Sequence, residues 1–485
     1  MLGYRKRFAL AGLATLVAIA VPATAFASAP NDSVGSSAAR TDAAPRPSQG
    51  PGHGVIANLW SWNWNSIASE CETVLGPAGY AAVWVAPPAE SLAHPDGNWW
   101  DIYQPYSYEL SGRFGDRAAF AAMTDACNDA GVEVYTDAVI NHTAEVAGVG
   151  YNGTELTDKY DSAMYTRADY NVDACDHPIS NWDDVWEVQH CELLSLPDLK
   201  TSSESVRATI TGYLNTQLEL GVSGFRVDAA KHMPADEIAT IVDQLQPTYD
   251  GDEPFVFHEV FPGSVPSPDE YFGSGKVLDF SYADQVKAAF QSDIAQLEGF
   301  GSDGLLPAEN SVSFVTNHDT ERDGRHLSYR DGETTVLANI FQLAWKRTAP
   351  TIYAGFEFSD TDASPPADGD GFVTDTDCSA GWACLNRDPR IVGMVGWHNQ
   401  VGDAEVTGFQ SPQANLIGFG RGSAGFVAIN NNEKEVAANF RTDVPDGTYC
   451  NVVDDCQTEV SVSGGTASLT LPAKSAIAFH PTAQP

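Results

Sequence analysis

Basic residues are scarce in this chain: 26 Lys and Arg stand against 65 Asp and Glu, for a formal net charge of −39 over 485 residues. So negative a molecule repels phosphate backbones and anionic headgroups, which argues against nucleic acid and membrane surfaces as partners and is compatible with a neutral substrate. Metal-hydrolase signatures are missing as well. There is no HExxH pair, and none of the eight Cys falls in a CxxC pattern. Long apolar runs are few. The one at 8–21 is short for a membrane span, follows Arg5, Lys6 and Arg7, and precedes the small-x-small stretch Ala25-Phe26-Ala27. That layout is a secretory signal, so residues 1–27 are read as a signal peptide and the protein as secreted and extracellular. Residues 28–51, rich in Ser, Ala, Pro and Gly without apolar periodicity, read as a flexible leader or propeptide. Eight Cys in an exported chain suggest disulfides, with the connectivity left open by spacing.

What the chain does have is apolar bulk: 43% hydrophobic residues with 11 Trp, 22 Phe and 17 Tyr, enough for a large core and two or three domains. Eight short apolar runs, at 55–60, 81–85, 132–140, 224–230, 254–261, 277–282, 311–319 and 351–358, alternate with helical stretches. Strands alternating with helices predict a parallel sheet with crossovers, and eight of them predict a closed (β/α)8 TIM barrel of the α/β class. Asp228 and Glu259 lie 31 residues apart, one unit of a barrel of roughly 250 residues. Asp137 and Asp228 lie 91 apart, so a segment rich in Asp, Asn and Tyr is inserted after strand three. The expected organisation is a barrel over 52–142 and 200–389, a small irregular inserted domain over 143–199, and a C-terminal antiparallel β domain over 390–485.

Four acids, Asp137, Asp228, Glu259 and Asp319, fall at the ends of strand-like runs, the face where barrels of this class build active sites. Converging carboxylates suit cleavage of a glycosidic bond, where one attacks the sugar and a protonated second assists the leaving oxygen. Arg226, on the same strand face as Asp228, is expected to keep it ionised, and the apolar run around Glu259 is expected to raise that carboxyl and keep it protonated. An internal ion pair holding a loop is the competing reading of the GFRVDAAKH stretch at 224–232.

Four blocks, DAVINH (137–142), GFRVDAAKH, FHEV (257–260) and FVTNHD (314–319), resemble in order and spacing those of the α-amylase family, glycoside hydrolase family 13. The resemblance runs from about residue 54 to the end and is nearest the secreted actinobacterial and animal-type members. It implies that the inserted segment is a domain B and the C-terminal part a β-sandwich. It also implies Asp228 as nucleophile, Glu259 as general acid and base, and Asp319 as a third carboxylate gripping sugar hydroxyls, with Asp137 mainly organising the site. Arg226 is implied as the nucleophile's charge partner within the binding set, and Lys231, His232, His142 and His318 as sugar contacts. The run at 98–105 resembles the substrate platform, with Trp99, Trp100 and Tyr103 as flat faces and Gln104 as a hydrogen-bonding handle. Core packing is the competing reading, level with substrate contact for Trp99.

The resemblance further implies one structural Ca²⁺, held by Asn141, Asp198 and the backbone carbonyls of Gln189 and His232, and the disulfides Cys71–Cys127, Cys175–Cys191, Cys378–Cys384 and Cys450–Cys456. Arg226 and Asn317 match two positions of an animal-type chloride site. The last-strand position is Gly355, which leaves chloride doubtful. The implied activity is endo-acting hydrolysis of α-1,4-glucosidic bonds in starch, glycogen and maltooligosaccharides by a monomer. The alternatives are an exo-acting maltooligosaccharide-forming enzyme or transglycosylase of the same family and, more remotely, a non-catalytic glucan-binding protein.

Overall fold

A computed structural model describes residues 54–94, 97–301, 304–347 and 349–485. The signal peptide and leader expected over 1–51 lie outside the described residues.

Eight parallel strands form one sheet: β1 (Ile56–Asn58), β2 (Ala82–Val85), β3 (Glu133–Ala138), β4 (Gly224–Val227), β5 (Phe255–His258), β6 (Lys276–Leu278), β7 (Ser311–Val312) and β8 (Thr351–Tyr353). Their order is β7-β6-β5-β4-β3-β2-β1-β8. The two outer strands meet through a parallel bridge between Phe314 and Thr351, with the Thr351 N–H 2.8 Å from the Ser313 carbonyl. The ring therefore closes, though only just.

Side-chain alternation sorts this sheet into two layers. Ile56, Trp84, Tyr135, Phe257, Leu278 and Val312, drawn from six of the strands, form one buried cluster inside the ring. Gly224 completes it by being small: a methyl there would fall 2.3 Å from the Phe255 carbonyl oxygen and 2.8 Å from the Tyr135 ring. Residues of the opposite parity, such as Val83, Val134, Phe225 and Val256, join the helices in the main core.

The strands are shorter than the apolar runs, and the differences have local causes. The run at 277–282 divides because Asp279 caps the helix Phe280–Phe290, its carboxylate accepting the Tyr282 N–H at 3.1 Å. The run at 311–319 stops early because Asn317 accepts the N–H groups of Asp319 (3.2 Å) and Thr320 (2.9 Å) and so turns the chain. Asp319 consequently stands on a turn and not at a strand end.

The segment after β3 is irregular, with a small core of Cys175, Ile179, Val188 and Cys191. Buried Glu90 ties it down, accepting from Asn152 N–H (2.8 Å) and Thr154 N–H (3.1 Å). The four disulfides are Cys71–Cys127, Cys175–Cys191, Cys378–Cys384 and Cys450–Cys456.

The C-terminal part is antiparallel. Strands β9 (Val406–Gln413), β10 (Leu416–Arg421), β11 (Phe426–Asn430) and β16 (Ser475–Phe479) make one sheet; β12 (Val436–Arg441), β13 (Gly447–Cys450), β14 (Glu459–Ser463) and β15 (Thr466–Leu471) make the other. Phe426 and Phe479 of the first sheet pack on Phe440, Val460 and Leu469 of the second. The first sheet's other face packs on the barrel's helices through Phe419 and Ile429. Arg421 locks that join. Its guanidinium donates to the carbonyls of Ala404 (2.6 Å), Gly402 (2.6 Å) and Ala344 (3.2 Å) at helix C-terminal ends, where a cation is favoured.

Candidate active site

Asp137 lies within β3, while Asp228 and Glu259 each follow the last residue of their strands, so all three carboxylates arrive at one end of the ring. Arg226, fully buried on β4, stands at their centre. Its Nη1 lies 2.6 Å from Asp137 and 2.8 Å from Asp228, and its Nη2 lies 2.5 Å from Glu259. Directly after Asp228 the chain turns sharply: Ala229 adopts a left-handed conformation (φ 49°), and its N–H donates to Glu259 Oε2 at 3.1 Å. A non-glycine residue in that region is strained and is held by its surroundings.

One expectation about setting and one about charge are overturned by this packing. Glu259 is not in an apolar setting, because Phe255 and Phe257 point into the ring's apolar layer while Glu259, beyond the strand, turns onto Arg226 and the Ala229 N–H. Nor does Arg226 keep Asp228 low. Burial raises the Asp228 carboxyl well above its usual range against the pull of Arg226, and Glu259, Asp137 and Asp319 add to the rise. Burial likewise lifts Asp137 to about 6 and, with Glu259 next in effect, Asp319 to about 8. Arg226 does not offset the rise at Asp137, Asp228 and Asp319, so these carboxyls titrate as a group and share protons.

Beneath these groups lies a closed aromatic floor. The Tyr103 hydroxyl donates to Asp137 at 2.7 Å, accepts from Trp60 Nε1 at 2.8 Å and lies 2.9 Å from His318 Nε2. The His318 ring is stacked on Trp60 (centroids 4.5 Å apart) and on Tyr103 (5.5 Å), and burial keeps it well below its usual pKa, hence neutral.

Above the carboxylates opens a cleft of about 820 Å³. Of the expected residues, Glu259, Asp319, Trp99, Trp100, Lys231 and His232 line it. Others do not. Arg226 is wholly enclosed and meets carboxylates rather than the cleft. His142 is buried with Nε2 2.9 Å from the Tyr103 carbonyl and Nδ1 3.2 Å from Asn141 Nδ2, and burial lowers it to about 4. Gln104 is buried with its side-chain oxygen on the Glu145 N–H (3.1 Å), bracing the inserted segment.

Sequence reasoning missed Trp182, Leu194, Phe261 and Arg322, which also line the cleft. Arg322 is caged by aromatics, its guanidinium carbon 4.3 Å from the Phe358 centroid and 4.8 Å from Trp99, while its Nε donates to the His318 carbonyl at 3.0 Å. Trp182 lies in an irregular polar stretch that carries no periodic signal. It was findable only as an aromatic among charges.

Two of the four expected calcium ligands stand out. A β-bridge between His142 and Asp198, with the Leu199 N–H on the Asn141 carbonyl at 2.9 Å, brings Asn141 and Asp198 together. Both carry a buried side-chain oxygen with no partner, Asn141 Oδ1 and Asp198 Oδ1, and burial raises the Asp198 carboxyl well above its usual value. Orphaned hard oxygens of this kind fit Ca²⁺. His232 Nδ1 lies 3.0 Å from the Val188 carbonyl, next to Gln189 in the chain, and the His232 ring is close enough to His142 to help lower it. The cluster of Cys175, His177 and Cys191 is no metal centre, since its two sulfurs are joined to each other.

A parallel barrel with a carboxylate-lined cleft at its strand ends, joined to an antiparallel sandwich, is the architecture of a glycoside hydrolase. The comparisons agree. A family model for the alpha amylase catalytic domain matches residues 74–268, and one for the alpha amylase C-terminal all-beta domain matches 409–482. An alpha-amylase of Streptomyces violaceus is 43% identical over 92% of this chain and 77% of its own length. One of Tenebrio molitor is 38% identical over 86% of this chain and 91% of its own. Among solved structures, alpha-amylase I of Eisenia fetida, crystallised as a mutant with maltohexaose, superposes with a TM-score of 0.84 at 28% identity, covering 89% of this chain and 98% of that one. The chain belongs to the alpha-amylase family, glycoside hydrolase family 13.

Proposed function

We propose that this protein is a secreted, endo-acting α-amylase that hydrolyses internal α-1,4-glucosidic bonds of starch, glycogen and maltooligosaccharides with retention of configuration. The observation that carries the reading is the contact of Asp228 and Glu259 with opposite nitrogens of one guanidinium at the floor of the cleft. A pair of carboxyls held by one guanidinium supports the retaining arrangement, in which the two stand about 5 Å apart. In the reactive protonation state, one of those the carboxylates share, Asp228 is ionised beside Arg226 and attacks the anomeric carbon as the glycosidic C–O bond breaks, while Glu259 carries the proton and gives it to the departing oxygen. Glu259 then takes a proton from water, which attacks the same carbon and frees Asp228. Asp319, carrying a proton at neutral pH, offers both donor and acceptor to sugar hydroxyls. Arg226 and the Tyr103–Asp137 floor hold these groups without touching sugar.

Endo action is supported by cleft walls from separate parts of the chain, Trp99 and Trp100 on one part and Trp182 and Leu194 on the inserted segment. The maltohexaose of the earthworm enzyme supports oligosaccharide binding. Asn141 and Asp198 would hold Ca²⁺, which would pin the inserted segment to the barrel. The four disulfides support secretion, and no helix among the described residues is long and apolar enough to cross a membrane.

The test is a time course on soluble starch followed by NMR and product sizing. The α anomer should appear first, with long fragments preceding maltose-sized products. The β anomer first would reject retention; short products only from the outset would reject endo action.

A further inference from the structure

Large apolar side chains are rarely left in water in numbers, and contiguous ones mark contact surfaces. Among the described residues, Trp182, Val185, Trp186 and Leu194, four of the nine exposed large hydrophobics, fall within one short stretch of the inserted segment. Trp182 and Leu194 line the cleft beside Glu259 and Asp319. Trp186 is outside that lining, four residues farther on, and is 48% exposed. We propose that Trp186, backed by His190, is an outlying glucan-binding site that takes the part of a long α-glucan extending beyond the cleft past Trp182. This rests on the α-glucan reading above.

The geometry suits a neutral polysaccharide chain. The Trp186 indole is stacked nearly parallel on the His190 imidazole, centroids 5.1 Å apart at 10°, which backs one face and leaves the other to solvent. The pair is fixed in place. His190 Nδ1 lies 2.8 Å from the Trp186 carbonyl, and Asp184 caps the helix Val185–Val188 by accepting the Trp186 N–H at 3.0 Å. The Cys175–Cys191 bridge closes the loop, and Val188 is fully buried beneath the helix. A flat, pre-positioned aromatic face binds a pyranose ring at little ordering cost. Exposed Asp183, Asp184 and Glu187 flank it in the chain; carboxylates accept hydrogen bonds from sugar hydroxyls and repel acidic partners. A tight turn, closed by the Asp184 N–H on the Asn181 carbonyl at 3.2 Å, joins Trp182 on the cleft wall to the helix of Trp186, and that short link favours the substrate's own chain as the occupant over an unrelated protein.

The test compares wild type, Trp186→Ala and Trp186→Phe on soluble starch and on maltotetraose, with adsorption to starch granules in the cold as a second readout. Trp186→Ala is expected to raise KM on starch about threefold to tenfold, to leave kcat and the maltotetraose constants unchanged, and to weaken granule adsorption. Trp186→Phe should restore part of the loss. Unchanged starch KM and adsorption in Trp186→Ala would overturn the proposal. So would an equal rise in KM on both substrates, which places Trp186 in the cleft, or a change in oligomeric state by sedimentation, which assigns the patch to a second copy. Wild type failing to cleave starch at all would instead overturn the α-glucan reading, and this inference with it.

Discussion

The floor and the rim of the cleft are built on opposite principles. At the floor, Asp137, Arg226, Tyr103 and His318 are almost wholly out of water, and their polar contacts are largely to one another. At the rim, Trp100 is half-buried and Trp182 and Trp186 are exposed, with few polar ties. Buried charge is costly unless its partners are fixed, so the floor tolerates no loose member and sets the protonation of the groups above it. The rim carries little electrostatic load. Its side chains can change with modest consequences, and substrate preference is adjusted there without disturbing the chemistry.

The largest effect expected from breaking this division is on Asp228→Asn and Glu259→Gln, which join floor to cleft. Each swap is nearly isosteric and removes a nucleophile or a transferable proton, so starch hydrolysis should fall by more than about a thousandfold. Melting temperature should hold. Substantial turnover by purified Glu259→Gln would reject its role as acid and base.

A smaller effect is expected where the inserted segment meets the barrel. Exhaustive chelation should lower the melting temperature by roughly 3 °C, since an ion at a hundred times its Kd contributes about 2.7 kcal/mol and the unfolding entropy of so long a chain is large. Ca²⁺ should restore it and Mg²⁺ should do so poorly. Asp198→Asn should need more Ca²⁺ for the same protection. Verified metal-free protein with an unchanged melt would remove the ion from the account.

The smallest effect sharpens the comparison at Asp319. Its folded-state pKa of about 8 lies above that of an ordinary carboxyl, so between roughly pH 4 and 8 the folded state keeps a proton that the unfolded chain releases, and stability falls as pH rises through that window. Asn cannot ionise. Melts of Asp319→Asn and wild type should therefore separate progressively from pH 4 to pH 8, in the variant's favour and by less than chelation produces, since the side chain is 30% exposed and solvent screens part of the shift. Parallel curves would show that this carboxyl titrates normally.

The sequence by itself determined the eight-strand rhythm, the antiparallel C-terminal part and the carboxylates to compare, because period-two alternation and fixed βα spacing are local properties of a chain. It also determined the residue types of Asn141 and Asp198, which ordinary loops share; only their shared burial, with one oxygen of each left unpartnered, marks them out. What the tertiary structure alone decided is which polar atoms remain available. Arg226, His142 and Gln104 turned inward because a closing barrel brings partners to them that lie 89, 39 and 41 residues away in the chain. Glu259 left its apolar run for the same reason, since desolvation and ion pairing depend on what surrounds a group in space, and the chain neighbours of a strand-end residue point elsewhere.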